Sequence, residues 1–587
     1  MLPSTRVTRH PLPPSQPTPT LLRPTPPRPR LLRPAPPRPA PTNRRDPSVA
    51  DPDRIGRASA FLASGTIVSR VLGFVKAIVL AAAIGVVGST SADAFAVANG
   101  LPNTVYVIVA GGVLSAVLVP QIVRASTHTD GGSAYINKLL TLALTVIGAA
   151  TVLATALAPV LTWIYAGSNT EILPLAVAFA WWCLPQIFFY GLYTLLGEVL
   201  NARRSFGPFT WVPVLNNVVA LIGLVIFGIL FGFDPDGTRA IDDWTPGMVA
   251  VLAGSATLGI VVQAVVLFWF WRRVGLRYRP DFRWRGVGLG AAGRMAGWTF
   301  GMLLLTTFAG IVQTQVVLLA SGEGASVAAI DNAWLVFMLP HSVITVSIAT
   351  AYFTRMSEHA HAGDLDRVRD DLSSAVRGVS VILVLAAVVL MVVAYPFGAV
   401  FQPGLTLASA LGNVIIAFAI GLVGFSILFV VQRTFYALGD TRTPFFFTLF
   451  QVIVFTVAAL SCILLPLEWT AVGIALSTTL AGTAQLVLAL VLLRRQLHRL
   501  DGRRIAVSLG RDLAAAVLPV IAGVVLLVLL GGTTEDGFAV SNRVGAIVSM
   551  AIIGAVMAAL YFGVLWALRS PELRGFAEPL VARVRRR

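Results

Sequence analysis

The amino-acid sequence predicts an all-α polytopic membrane protein of 14 transmembrane helices, arranged as two parallel six-helix lobes with two further helices at the C-terminal end. Three observations predict it. Hydrophobic residues make up 56% of the 587 and charged residues only 12%, against about 25% charged in an ordinary soluble domain. Apolar segments of about 20 residues, long enough to cross about 30 Å of hydrocarbon, recur from residue 58 onward. Arg and Lys, 44 against 27 Asp and Glu, collect in alternate connections, as they do when basic loops are retained in the cytoplasm. A soluble globular enzyme is excluded, because so little charge cannot cover a surface of this size. The positive charge is scattered between apolar runs, so it does not point to nucleic acid.

Residues 1–57 are a different material. They hold 17 of the 35 prolines and 11 Arg against three Asp, with a tandem decapeptide at Leu21–Arg30 and Leu31–Ala40. Proline at this density prevents helix and sheet ladders, so a disordered tail with polyproline II character is expected. It lacks the apolar stretch of a secretory signal, so no cleavage is expected. Its Arg residues suit retention in the cytoplasm and contact with anionic lipid.

The apolar segments then run at 60–84, 92–121, 139–166, 172–200, 208–232, 247–271, 295–320, 330–354, 378–400, 408–432, 444–465, 469–493, 512–532 and 544–568. With the N-terminus inside, the tails and inner connections hold 40 of the 44 basic residues. The outer loops hold only Arg239 and Arg543, and Asp234, Asp236, Asp242 and Asp243 make them acidic. Adding or losing one span would scramble this alternation, so both termini are expected in the cytoplasm. A repeat is also legible. Leu101-Pro102-Asn103-Thr104-Val105 is echoed by Leu339-Pro340-His341-Ser342-Val343, and Gly207-Pro208-Phe209 by Thr443-Pro444-Phe445, at offsets of 238 and 236. Two parallel halves follow, since six is even and each half enters from the same side. The expected divisions are a lobe over 58–271, a basic linker over 272–294, a second lobe over 295–493, two helices within 494–568 and a basic tail over 569–587.

No phosphate-binding loop, nucleophile elbow or His/Glu metal pattern is present, and the two cysteines, Cys183 and Cys462, lie in apolar runs. No enzymatic activity, metal or cofactor is expected. The chemistry falls to ions inside the first two helices. Arg70 and Lys76 sit in an apolar segment, where a charge costs at least about 2.5–3.5 kcal/mol unless it faces a polar cavity. Six residues place their side chains about 120° apart, on adjacent flanks of one wide cavity. An anion site is the functional reading, with Arg70 able to grip phosphate through its fork; an internal ion pair or snorkelling is the plainer one. Asp93 could pair with either cation, take a coupling proton, or simply favour the start of its helix. Asn103 stands beside them as a polar candidate for substrate. Pro102 and Pro340 break the backbone ladder and are expected to bend both helices toward a central opening.

These residues resemble a known family. Ser69-Arg70-Val71-Leu72-Gly73-Phe74, Ala92 to Ala98, Leu101-Pro102-Asn103 and Val119-Pro120 are similar to the opening of the MviN/MurJ family of lipid II flippases. Leu200-Asn201, Pro213 with Leu215-Asn216-Asn217, Trp334 to Pro340, Phe435-Tyr436 and Asp440 to Pro444 also match its pattern, so the resemblance covers about 58–568. It implies a transporter of the multidrug/oligosaccharidyl-lipid/polysaccharide exporter superfamily, in a bacterial plasma membrane. Such a transporter moves the undecaprenyl-diphosphate-linked peptidoglycan precursor from the inner to the outer leaflet by alternating access around a cationic cavity. Arg70 falls on the family's first-helix arginine, Lys76 replaces its second, and Asp93 falls on its second-helix aspartate. Other charged positions of the family are here Ala77, Tyr106, Val107, Gly111 and Leu335. No carboxylate lies between Met295 and Ala320 for the seventh-helix sodium site of some members, so no sodium site is expected. The expected partners are the lipid-linked precursor, membrane lipids and, through the N-terminal tail, cell-wall synthesis proteins. Only Lys76 and Lys138 of the basic residues are lysine, a bias that suggests a GC-rich, actinobacterial source. The alternatives are a flippase for another polyprenyl-linked glycan and a non-transporting cell-wall scaffold.

Overall fold

The computed structural model describes residues 52–110, 133–203, 205–283 and 293–573. Residues 58–587 fall in one compact unit, and of the separate unit 1–57 only the start of the first helix is described. The described chain is helical. Helix α1 (Pro52–Ile84) is followed by α2 (Thr90–Val109), α3 (Ser133–Ala156), α4 (Ala158–Ala166), α5 (Leu173–Cys183), α6 (Gln186–Ala202), α7 (Phe206–Phe231) and α8 (Pro246–Arg273). Beyond the basic connection come α9 (Gly293–Val317), α10 (Val327–Pro340), α11 (Val346–His361), α12 (Leu365–Val392), α13 (Ala394–Phe401), α14 (Leu405–Ile420) and α15 (Leu422–Ala437). The last are α16 (Arg442–Ser461), α17 (Leu467–Gln496), α18 (Gly502–Leu529), α19 (Phe538–Ser541) and α20 (Arg543–Ala567).

Twelve of these helices or continuous pairs are long and apolar enough to cross a membrane, and the bent pair α14–α15 makes 13. The expected segment 92–121 is helical over Thr90–Val109, and residues 111–121 lie outside the described residues. So do residues 1–51 of the N-terminal tail, 284–292 of the linker and 574–587 of the C-terminal tail. Helix α1 begins at Pro52, inside the stretch expected to be tail. Proline is tolerated at a first helical position, where its missing N–H would find no partner anyway. Helix α12 begins at Leu365, well before the expected 378. Its first turns are polar, held by the Asp364 side chain accepting from the Arg367 N–H at 3.1 Å and by an Arg369–Asp366 ion pair at 2.8 Å.

Two interruptions have local causes. Pro340 ends α10, and a π-helical turn, His341–Thr345, connects it to α11 within one continuous span. The proline lacks a donor and crowds the carbonyl four residues back, so the ladder widens there. Helices α14 and α15 bend by 43° at Gly421. There the Thr479 hydroxyl donates to the Ala417 carbonyl at 2.9 Å, and a Cβ on Gly421 would lie 2.8 Å from that hydroxyl. The bend thus brings α17 against bare backbone.

Helices before residue 274 pack chiefly on one another, as α7 on α8, α2 on α5 and α6 on α8 do, and those after 293 likewise, as α16 on α17, α12 on α18 and α9 on α16 do. Helix α2 meets both α9 and α10, bringing the two sets together. His341 is buried in the second set, its Nδ1 2.9 Å from the Ser426 hydroxyl and its ring edge-on to Phe425 and Phe429.

Candidate functional site

A cavity of about 430 Å³ lies between α1, α2 and α10. Each helix presents one face to it at three- and four-residue steps, as a stripe on a 3.6-residue helix must. Helix α1 contributes Arg70, Gly73, Lys76 and Leu80; α2 contributes Ala92, Ala96, Asn99 and Gly100; α10 contributes Asp331, Asn332, Leu335 and Met338. Arg70 and Lys76 therefore share one cavity, although about 120° separates them around α1. Six residues put their Cα atoms about 9 Å apart along the axis, a span two long side chains can close on one ligand. The Arg70 guanidinium donates to the hydroxyl of Ser342, whose own proton goes to the Leu339 carbonyl at 3.1 Å. Among the described residues Lys76 makes no hydrogen bond or ion pair. Helix α1 is braced behind the cavity by Asn217, whose amide donates to the Ser69 carbonyl at 2.9 Å.

Asp93 lies outside this lining. It is 1% exposed, and its carboxylate accepts from the Ser321 hydroxyl at 2.6 Å and from the Ala328 N–H at 2.9 Å. Ala328 is in the first turn of α10, whose unpaired N–H groups favour an anion. Asp93 also stands in the first turn of α2, so one carboxylate serves two helix N-termini. Asn103 is exposed on α2 and lines a second cavity of about 310 Å³, with Thr104, Thr306, Thr307, Gln313 and Thr314. Pro102 is buried within α2, and Pro340 stands just past Leu339, which lines the first cavity.

Asp331 is a cavity-lining carboxylate that the sequence did not reveal. It lines both cavities, and with Ala96 and Gly100 it forms their common wall. It stands at the beginning of the apolar segment 330–354, where nothing in the local pattern sets it apart. Asn99 and Asn332 were missed for the same reason: an amide among apolar residues gives no spacing signal until the helices are assembled. Among the described residues, the first cavity is lined by two basic side chains, Arg70 and Lys76, and one carboxylate, Asp331.

The cavity is closed at one end. Gly85 and Gly88, both with positive φ (+76° and +72°), turn the chain between α1 and α2. The Gln402 side chain accepts from the Val87 N–H at 2.7 Å and donates to the Pro235 carbonyl at 2.8 Å. The Gly88 N–H donates to the Gly324 carbonyl at 2.9 Å, and Ser168 and Gln315 are joined through two hydrogen bonds of 2.8 and 2.9 Å. These bonds and those of Asp93 tie helices before residue 274 to helices after 293, at the end away from the Arg-rich connections.

A family model described as "Lipid II flippase MurJ" matches residues 80–557. The chain belongs to the lipid II flippase MurJ family. It has the family's function, the movement of lipid II in peptidoglycan biosynthesis, and it is a multi-pass membrane transporter, not an enzyme. The match begins after Arg70 and Lys76, so the placement of these two rests on the cavity itself. The "Probable lipid II flippase MurJ" of Rhizobium tropici is 26% identical over 456 residues, 74% of this chain and 80% of that protein. The protein of the same description from Rhizobium meliloti (strain 1021) is 25% identical over 529 residues, 88% of this chain and 94% of its own. Among solved structures, "Lipid II flippase MurJ, inward closed conformation" superposes with a TM-score of 0.63 at 17% identity, over 86% of this chain and 99% of that one. An inward-facing multidrug resistance MATE family transporter of the MOP superfamily gives 0.58 at 15% identity, over 73% and 94%. These two likenesses establish the fold.

Proposed function

We propose that the protein carries the diphosphate-linked headgroup of lipid II from the inner to the outer leaflet of an actinobacterial plasma membrane, with Arg70 and Lys76 replacing the water that the phosphates lose. The observation that carries this reading is the cavity that brings both cations together inside the membrane-spanning helices. A diphosphate cannot cross about 30 Å of hydrocarbon unaided, and bidentate guanidinium contacts suit its oxygens. Fourteen spans with both termini in the cytoplasm make the Arg-rich end the inner one, so the structure is closed toward the outside. The lobes 58–271 and 295–493 rock about the cavity and open it alternately. The bonds made by Asp93, Gln402 and Gly88 are remade on each cycle, and Pro102 and the π-turn after Pro340 let α2 and α10–α11 flex. Asn103 contacts the sugar–peptide part of the headgroup from the second cavity. The lipid tail stays in the bilayer, and helices in 494–568 flank the second lobe. The Pro/Arg repeats of the N-terminal tail suit anionic lipid and the recruitment of cell-wall synthesis proteins. Arg70→Ala is expected to abolish most lipid II translocation in proteoliposomes; unchanged translocation would make the cationic grip wrong.

A further inference from the structure

We propose that Asp331 recognises a primary ammonium group on the headgroup of the transported lipid, so that the site reads a diphosphate at one end and an amine at the other. The proposal rests on the flippase reading above and adds a specificity-determining residue to it. Asp331 is the carboxylate common to the two cavities. It is solvent-exposed within them, and among the described residues it accepts no hydrogen bond and forms no ion pair, although Arg70 and Lys76 line the same first cavity. Asp93, by contrast, has its oxygens occupied by Ser321 and Ala328. Asp331 is thus, among the described residues, a carboxylate without a protein partner on the wall between the two cavities. A carboxylate beside a diphosphate site opposes binding of the anion unless the cargo brings a compensating positive charge.

The surroundings select what that charge can be attached to. The second cavity offers Asn103, Thr306, Thr307, Gln313 and Thr314, which donate and accept hydrogen bonds without net charge. Such a lining suits hydroxyls and amides, the groups of a sugar–peptide headgroup, and leaves Asp331, among the described residues, as the one ionisable acid there for an ammonium. One helical turn further along the same face of α10 stands Leu335, so the negative charge is not cancelled by its own helix.

The test uses the whole protein in proteoliposomes and two probes: lipid II with a free amine in its peptide, and the same lipid with that amine acetylated. At subsaturating lipid, the wild type is expected to move the free-amine form about tenfold faster or more, the worth of a charge-assisted hydrogen bond. Asp331→Asn is expected to lose this preference and Asp331→Glu to keep it. Equal rates for both lipids in the wild type, a comparison needing no variant, would overturn the assignment while leaving the flippase reading intact. It is also overturned if Asp331→Asn keeps the preference, or slows both lipids equally without changing their ratio. A wild type that moves neither lipid overturns the flippase reading, and this assignment with it.

Discussion

Removing the Asp93 carboxylate is expected to open the cavity at its closed end. Asp93→Ala leaves the Ser321 hydroxyl and the Ala328 N–H, now paired at 2.6 and 2.9 Å, without their acceptor in a buried joint. Hydrogen bonds to charged groups contribute about 1.5–3 kcal/mol each. Burying the carboxylate itself offsets part of that sum, so the two bonds together favour closure by about 2–4 kcal/mol. At 1.4 kcal/mol per tenfold, that is a shift of roughly 30- to 1,000-fold toward the open state. Asp93→Asn keeps the size and one acceptor but loses the charge, and about half the effect follows. The assay is reaction of Ala96→Cys, on the common wall of the cavities, with a membrane-impermeant maleimide added on the side of the closed end. Native Cys183 and Cys462 are buried, which keeps the background low and makes their reactivity a monitor of global unfolding. Labelling should accelerate in the order parent, Asp93→Asn, Asp93→Ala. Equal rates in a folded Asp93→Ala protein would refute the reasoning, because the bonds would then not hold the closed end.

Arg70→Lys keeps the charge but loses the planar fork, and should slow lipid II translocation about tenfold or more, whereas an equal rate would show that charge alone suffices. At the Arg-rich end, Glu572 joins Arg377 of α12, at 2.8 Å, to Arg511 of α18. Burial alone would raise the Glu572 carboxyl, but the bonds from Arg377 and Ser570 and the Arg511 charge outweigh it and hold the group below the ordinary glutamate value. Its contribution is therefore complete above the ordinary value of about 4.3 and is lost as pH falls through the lower folded-state value. Thermal unfolding followed from about pH 6 to 3 should show this loss, and Glu572→Gln should lack that part of the slope. Gly85→Ala and Gly88→Ala both place alanine at positive φ, which costs about 1 kcal/mol or more. A Cβ on Gly85 would also lie 2.6 Å from the Gly237 Cα, whereas the nearest atom to one on Gly88 is at 3.9 Å. Gly85→Ala should accordingly show the larger fall in melting temperature.

The spans were legible because two independent signals agree on them. Hydropathy marks where helices are apolar, and the Arg distribution marks which connections share a side. Boundaries were less legible where a helix leaves the membrane. The start of α12 at Leu365 carries Asp366, Arg367, Arg369, Asp370 and Asp371, a composition that reads as loop although the helix continues through it. The break at Gly421 was hidden as well, because a glycine among apolar residues gives the same signal whether or not the Thr479 hydroxyl is waiting to take the freed carbonyl.

The site divides along the same physical line. Arg70 and Lys76 stood out because an isolated cation in an apolar segment has few uses other than lining a cavity, and they line one. Asp93 stood out for the same reason, yet its carboxylate is taken up by Ser321, in the turn before α10, and by Ala328 in its first turn, 228 and 235 residues away in the chain. No local pattern could reveal that partner, since the unpaired N–H groups of a helix start look alike wherever they lie. Asp331 inverts the case. Four residues into α10 it carries every local mark of a carboxylate placed for the helix dipole, and only the approach of α2 and α9 turns its exposed side into a wall between two cavities. A charge inside a span thus marks a polar environment, while its role as ligand, latch or discriminator is set by the helices that other parts of the chain bring against it.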